Sequence, residues 1–362
     1  MSKSKNENPF EIDFDSYIRQ GEPEKKEKSI AWAIATGLQQ VDGLTPSKYL
    51  YETAKRNIEG EITINEAKEL IDSYYESKSV RTDDDDEKEE ADKVSARITE
   101  LLSEQAFTLS TNQLLSIHEK IFKGVFHKVK AGKFRDYNIT KKEWVLDGDT
   151  VLYANADLIS ETLKYDFETE KTFDYSKLTP EDSIKHLTRF IANIWQIHPF
   201  GEGNTRTTAV FAIKYLNSLG FDVNNEPFEK NSWYFRNALV RANYTNMNKG
   251  IYMNTEYLEK FFRNLLLGED NELKNRYCHI KYSKQAEKKV TQKVTVNVTV
   301  KFTANQKKIL EEIKKNQFVT QEELAEIVGI TRKSINENMK KLQSMNIIER
   351  VGADKNGYWK VL

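Results

Sequence analysis

The spacing of apolar positions changes period several times along the chain. Between Ser29 and Val41, Ile30, Ala33, Ile34 and Leu38 fall near one face, which predicts an amphipathic helix broken by Gly43. Two further helices are expected. The first runs from about Pro46 to Ile58 and stops at Glu59-Gly60, where glycine suits the left-handed position after a helix. The second opens at Thr63, which can form a capping box with Glu66. From Val94 onward the pattern is mostly helical, with one interruption. In "FRDYNITKKEWVLDGDTVLYA", Asp147-Gly148 separates two β-prone stretches and predicts a hairpin. Helical periodicity resumes in "SIKHLTRFIANIWQIHPF" and "TTAVFAIKYLNSLGF". Val294, Val296, Val298, Val300 and Phe302 alternate with polar residues, as a strand does. The remainder reads as three helical segments and a hairpin, with Thr320 and Glu323 as another capping box and Gly329 in the turn. That order is a winged helix-turn-helix.

Charge refines this picture. The run "TDDDDEKEEADK" reads as a solvated loop of mutually repelling carboxylates, without calcium-loop spacing, dividing an N-terminal region from the central domain. The expected organisation is an N-terminal helical region over 1–90, a catalytic core over 91–270, a connector with a strand over 271–302, and a winged helix over 303–362. With 362 residues, 38% hydrophobic and 31% charged, the chain fits a helix-rich globular protein of two or three domains. A net charge of -1 supplies no global field toward nucleic acid. Cys278 is the only cysteine, which excludes an intrachain disulfide and argues against a Cys-based zinc site. With no apolar leader and no apolar run of about 18 residues, a cytoplasmic location and no membrane partner are expected.

The densest chemistry lies in "HPFGEGNTRTT", residues 198 to 208, between two apolar helices. A loop entering a helix N-terminus offers unpaired N–H groups and the positive end of a dipole, an anion site. Gly203 would let backbone approach a phosphate, and Arg206 could grip its oxygens. Glu202 beside a phosphate calls for an intervening cation, which suggests Mg²⁺. His198 can take a proton near neutrality. These parts suit phosphoryl or nucleotidyl transfer. The plainer reading makes His198-Pro199-Phe200 a helix-ending turn and Asn204 an N-cap; the residues jointly favour chemistry.

This stretch resembles the Fic motif, HxFx(D/E)GNGRxxR, matching at His198, Phe200, Glu202, Gly203, Asn204 and Arg206. The resemblance implies a mainly α fold, a Fic-type helical core with a β-hairpin flap, and transfer of AMP from ATP to a Ser, Thr or Tyr hydroxyl of a protein target. It implies His198 as general base, Glu202 as Mg²⁺ ligand, and Gly201, Glu202, Gly203, Asn204, Thr205 and Arg206 at the nucleotide. The hairpin at Asp147-Gly148 would be the flap, its edge holding the target by strand addition. Tyr234 and Asn237, in "SWYFRNALVRANY", would border the base pocket. Two positions depart from the motif: Thr205 replaces its second glycine and Ala209 its final arginine. The donor is therefore left open, with another nucleotide or a phosphoryl group as alternatives. "YETAKRNIEGEITINEA" resembles the family's inhibitory helix, with Lys55 at the Ser/Thr position; Glu59 would inhibit, meeting Arg206 or repelling phosphate.

In the winged helix, the segment from Thr331 carries Arg332, Lys333 and Asn336 toward a DNA groove. Residues 303–362 hold 11 Lys/Arg against 8 Asp/Glu, a modest footprint for DNA. His118, His127, His186 and His279 lack ligand spacing and read as surface or core residues, and Phe190 and Trp195 as core. Two other functions are carried forward: a DNA-binding regulator with a weakened nucleotide-sensing site, and removal of AMP from targets. Self-association is compatible with the sequence.

Overall fold

The computed structural model describes residues 14–19, 22–78, 82–126, 129–221, 223, 226–282, 303–344, 347–351 and 358–361. The chain divides into two compact units, 1–282 and 283–362.

The first unit is helical: α1 Phe14–Arg19, α2 Pro23–Gly37, α3 Lys48–Ile58, α4 Ile64–Glu76, α5 Asp83–Ser103, α6 Thr111–Phe122, α7 Ile159–Lys171, α8 Pro180–Ile197, α9 Asn204–Ser218, α10 Glu226–Ala242, α11 Glu256–Leu267 and α12 Asn275–Cys278. The predicted stop after α3 is present, with Gly60 at φ 81°. Thr63 and Glu66 form the expected reciprocal cap of α4. Helix α2 starts earlier than the helix expected from Ser29, with Pro23 in its first turn, and tightens into a 3₁₀ turn, Leu38–Asp42, ended by Gly43 at φ 76°. That turn delivers Gln39 and Asp42 to the site.

Two expectations are corrected. The acidic run is not a loop. Residues 83–92 form the first turns of α5, capped by a reciprocal Thr82–Asp85 box. Carboxylates at a helix N-terminus meet the positive end of the dipole. Lys88 pairs with Asp84 at 2.6 Å and Lys78 with Asp85 at 2.6 Å, relieving the repulsion. The chain does reverse at Asp147-Gly148, but without strands. Trp144–Leu146 is a 3₁₀ turn, Asp147 adopts φ 57°, and the Glu143 N–H donates to the Asp149 carbonyl at 2.9 Å. The apolar side chains of this segment, Val145, Leu146, Val151 and Tyr153, are buried in the main core, so packing shapes the flap.

The main core also takes Ile191, Ile194 and Trp195 from α8, Phe211 from α9, and Val94, Ile98 and Leu101 from α5. A smaller cluster joins Trp32, Leu50, Ile71, Tyr75 and Ala96. Helix α2 contributes Ile34 and Ala35 to the first cluster and Trp32 and Ala33 to the second. The region before residue 90 is thus packed into the same unit as the motif.

The second unit is the expected winged helix-turn-helix: α13 Ala304–Lys315, α14 Gln321–Val328 and α15 Arg332–Ser344, then β1 Ile348–Val351 antiparallel to β2 Tyr358–Val361. Thr320 and Glu323 cap α14 reciprocally, and Gly329 ends it at φ 77°. Ile335, Met339 and Leu342 line the buried face of α15. The strand expected at 294–302 lies outside the described residues.

Candidate active site

Helix α8 ends at His198, a non-glycine residue at φ 50° and only 3% exposed. Histidine is among the residues that tolerate this region, and the reversal turns its ring back under the loop. Its Nδ1 faces the Trp195 carbonyl at 3.2 Å. A carbonyl can only accept, so Nδ1 carries the proton and Nε2 keeps a lone pair. The Tyr153 ring packs on the imidazole at 4.3 Å. Burial, and then the charge of Lys141, hold the proton affinity of His198 well below its usual value, with smaller effects from Arg236 and Arg135. The ring is therefore neutral at pH 7 and able to accept a proton.

The loop from 199 to 203 is closed by its own groups. The Phe200 N–H donates to Asn204 Oδ1 at 2.9 Å, and Asn204 Nδ2 donates to the Phe200 carbonyl at 2.8 Å. Asn204 thereby spends both ends of its amide inside the loop. Thr205 Oγ1 accepts from the Trp195 indole at 3.0 Å, which gives the hydroxyl at this departure from the motif a task. Gly203, at φ 72°, has no room for a side chain: a Cβ there would stand 2.4 Å from the Phe122 ring. The close approach that Gly203 allows is to Phe122. A Cβ on Gly201 would meet Tyr137 Oη at 2.7 Å. Gly203 is also the N-cap of α9 and offers no side-chain hydrogen bond to it, so the first-turn amides have no side-chain cap.

Arg206 is 1% exposed; both its terminal nitrogens are hydrogen-bonded, while its buried Nε stands near a carboxylate without a hydrogen bond. Its Nε lies 2.8 Å from Asp42 Oδ2, one terminal nitrogen 2.6 Å from Glu90 Oε1, and the other 3.0 Å from Gln39 Oε1. The guanidinium rests on Phe122 at 4.8 Å. Glu59 is not its partner. That carboxylate accepts from Tyr17 Oη at 2.7 Å and pairs with Lys25 at 3.0 Å, so the expected Glu59–Arg206 contact gives way to Asp42 and Glu90. Glu90 belongs to the acidic run, whose helical form brings it here.

Glu202 points outward, its side chain 52% exposed, and pairs with Lys141 at 3.1 Å. Its carbonyl accepts from His118 Nε2 at 3.1 Å. Among the described residues, no group of three or more His, Cys, Asp or Glu is arranged to hold a metal. A single exposed carboxylate does fit Mg²⁺, which keeps most of its ligands as water and phosphate oxygen. Glu202 and Glu90 line a cleft of about 880 Å³ with Asp86, Glu87, Glu89, Lys93 and Tyr137, and with Val125, Phe126 and Val129 as its apolar wall.

Tyr234 and Asn237, expected at a base pocket, lie inside the helical packing of α10. Both are buried, with Tyr234 Oη donating to the Tyr257 carbonyl at 3.1 Å and Asn237 Nδ2 donating to Asn275 at 2.7 Å. The residue of α10 that reaches the flap is Arg236, which grips Glu143 at 2.7 and 3.1 Å. Arg135 was likewise not singled out. Its guanidinium donates to the carbonyls of His198, Tyr137, Ala154 and Ile197, pinning the loop to both limbs of the flap. An arginine and a glutamate each beside one aromatic residue, as in "KFRDY" and "KEWVL", were the available signals. Of the other histidines, His118 is core, His186 pairs with Glu170 at 2.7 Å, and His279 meets the edge of Trp144. His127 lies outside the described residues.

In the second unit, Arg332 and Lys333 are exposed and Asn336 partly so. Arg332 pairs with Glu322 at 2.7 Å.

Residues 108–216 match the profile of the Fic/DOC family, and residues 302–349 that of the winged helix-turn-helix DNA-binding family. No curated protein matches the chain. Among solved structures, a Fic family protein from Desulfovibrio desulfuricans is 12% identical, over 93% of this chain and 87% of that one, with a TM-score of 0.41. The N-terminal FIC domain of Bep8, a VirB-translocated effector of Bartonella sp. 1-1C, is 18% identical over 52% and 88%, with a TM-score of 0.40. BepC, a VirB-translocated effector of Bartonella tribocorum solved with bound AMPPNP, is 18% identical over 52% and 90%, with a TM-score of 0.38. The chain carries a Fic/DOC domain and a winged helix-turn-helix domain. No helix among the described residues is long and apolar enough to cross a membrane.

Proposed function

We propose that this Fic/DOC domain transfers AMP from ATP to the hydroxyl of a Ser, Thr or Tyr side chain on a protein target. The observation that carries the reading is the set of His198: Nδ1 is fixed on the Trp195 carbonyl, which frees Nε2 beside a helix N-terminus that no side chain caps. The target oxygen attacks the α-phosphorus, the bond from that phosphorus to the bridging oxygen breaks, and pyrophosphate leaves. The hydroxyl proton passes to Nε2. Main-chain amides at the start of α9 meet the phosphate charge. Glu202 would hold Mg²⁺, which, when bound, neutralises phosphate oxygens.

The test is incubation with labelled ATP and Mg²⁺, followed by mass spectrometry of the protein and of a lysate. One adenylyl group on a hydroxyl side chain is expected. His198→Ala is expected to lower the rate by about 10²–10⁴-fold. No transfer to any acceptor by the unaltered protein would overturn the reading.

A second reading, a DNA-binding regulator that only senses nucleotide, draws support from Arg206, whose charge is answered by Asp42 and Glu90.

A further inference from the structure

A phosphate chain at the start of α9 needs a cation. The amides there bring dipoles but no net charge, and Glu90 and Glu202 both line the adjoining cleft. The motif's own arginine is occupied. Drawing Arg206 toward a ligand would strand Asp42 and Glu90 and empty a packed position over Phe122. Arg135 is consumed by backbone carbonyls and Arg236 by Glu143. Lys141 differs from all three. Its side chain is 30% exposed, and its ion pair is with the exposed Glu202. Such pairs are worth little and exchange readily. Its backbone is held on the flap, where the Lys141 N–H donates to Thr150 Oγ1 at 3.1 Å. After burial, its charge is the largest influence on His198. The ammonium therefore acts on both the base and the acid between which a reacting phosphate has to lie.

We propose that Lys141 is the side chain that binds the nucleotide's phosphate chain, exchanging the Glu202 carboxylate for phosphate oxygens when the nucleotide enters. This rests on the nucleotide-transfer reading above. Arg206 then serves to hold α9 to α5 and the 38–42 turn.

Titration calorimetry of the full chain with ATP and Mg²⁺, and separately with adenosine, tests this. Lys141→Ala is expected to weaken ATP binding by about tenfold or more, the loss of one charged hydrogen bond, and to leave adenosine binding unchanged. Lys141→Arg should keep most of the ATP affinity, and melting temperatures should confirm that both variants fold. Equal ATP affinity in Lys141→Ala and the unaltered protein would overturn the proposal while leaving the transfer reading intact. So would an Arg206→Gln variant that melts normally yet no longer binds ATP. Binding of neither ATP nor adenosine by the unaltered protein would remove the transfer reading itself.

Discussion

His118 illustrates what a single residue does in this site. It touches no reacting atom, yet it joins three pieces of backbone. Its Nδ1 accepts from the Gly132 N–H at 2.9 Å, its Nε2 donates to the Glu202 carbonyl, and its ring stacks on Phe200 at 3.7 Å. That arrangement requires the neutral ring, and burial pushes its proton affinity down to about 4. The unfolded chain, near 6.5, binds a proton that the folded one refuses. The stabilisation is therefore complete above about pH 6.5 and is lost as pH falls toward 4, up to about 3 kcal/mol. Asp92, buried and raised to about 6, works the other way in an overlapping window, so the comparison has to be between variants. Urea midpoints at about pH 5 and about pH 7.5 are expected to differ less in His118→Gln than in the unaltered protein. At this scale the sequence showed His198 and Glu202 clearly, because their chemistry is rare in a turn. It did not show that Asn204 and Thr205 face inward. An amide or a hydroxyl serves a loop or a ligand equally well, and only the positions of Phe200 and Trp195 decide.

At the scale of elements, α5 matters most. Its acidic first turns were read as a loop because like charges repel, but Thr82, the helix dipole and the paired lysines outweigh that repulsion. Thr82→Ala removes the cap and is expected to cost about 1 kcal/mol, read as a lower melting temperature. The flap departs from the expected hairpin for a related reason. Asp147-Gly148 does set a reversal, as its dihedral angles show. A strand sends successive side chains to opposite faces, whereas the neighbours Val145 and Leu146 both turn into one core. The helices α3, α4, α14 and α15 are legible because their periodicity agrees with the caps Thr63 and Thr320 and with the stops Gly60 and Gly329.

For the whole molecule, the winged helix was readable almost residue by residue, since its core repeats at i, i+4 and i+7 on α15. Arg332 and Lys333 lie exposed at the start of α15, where a duplex phosphate would be met. Replacing both with alanine is expected to abolish binding to random duplex at low salt while AMP transfer stays unchanged, as gel shift and transfer assay would report. The boundary expected near residue 90 was less legible. Apolar spacing reveals that α2 is amphipathic but not that it serves two clusters at once.

The reach of Arg206 across the fold has one more consequence. A shortened chain starting after residue 90 would retain the whole Fic/DOC match yet leave behind Gln39, Asp42 and Glu90. The segment that sequence matching delimits is smaller than the segment that is electrically whole, and anyone trimming this protein to its recognisable part would keep the arginine and discard its counter-charges.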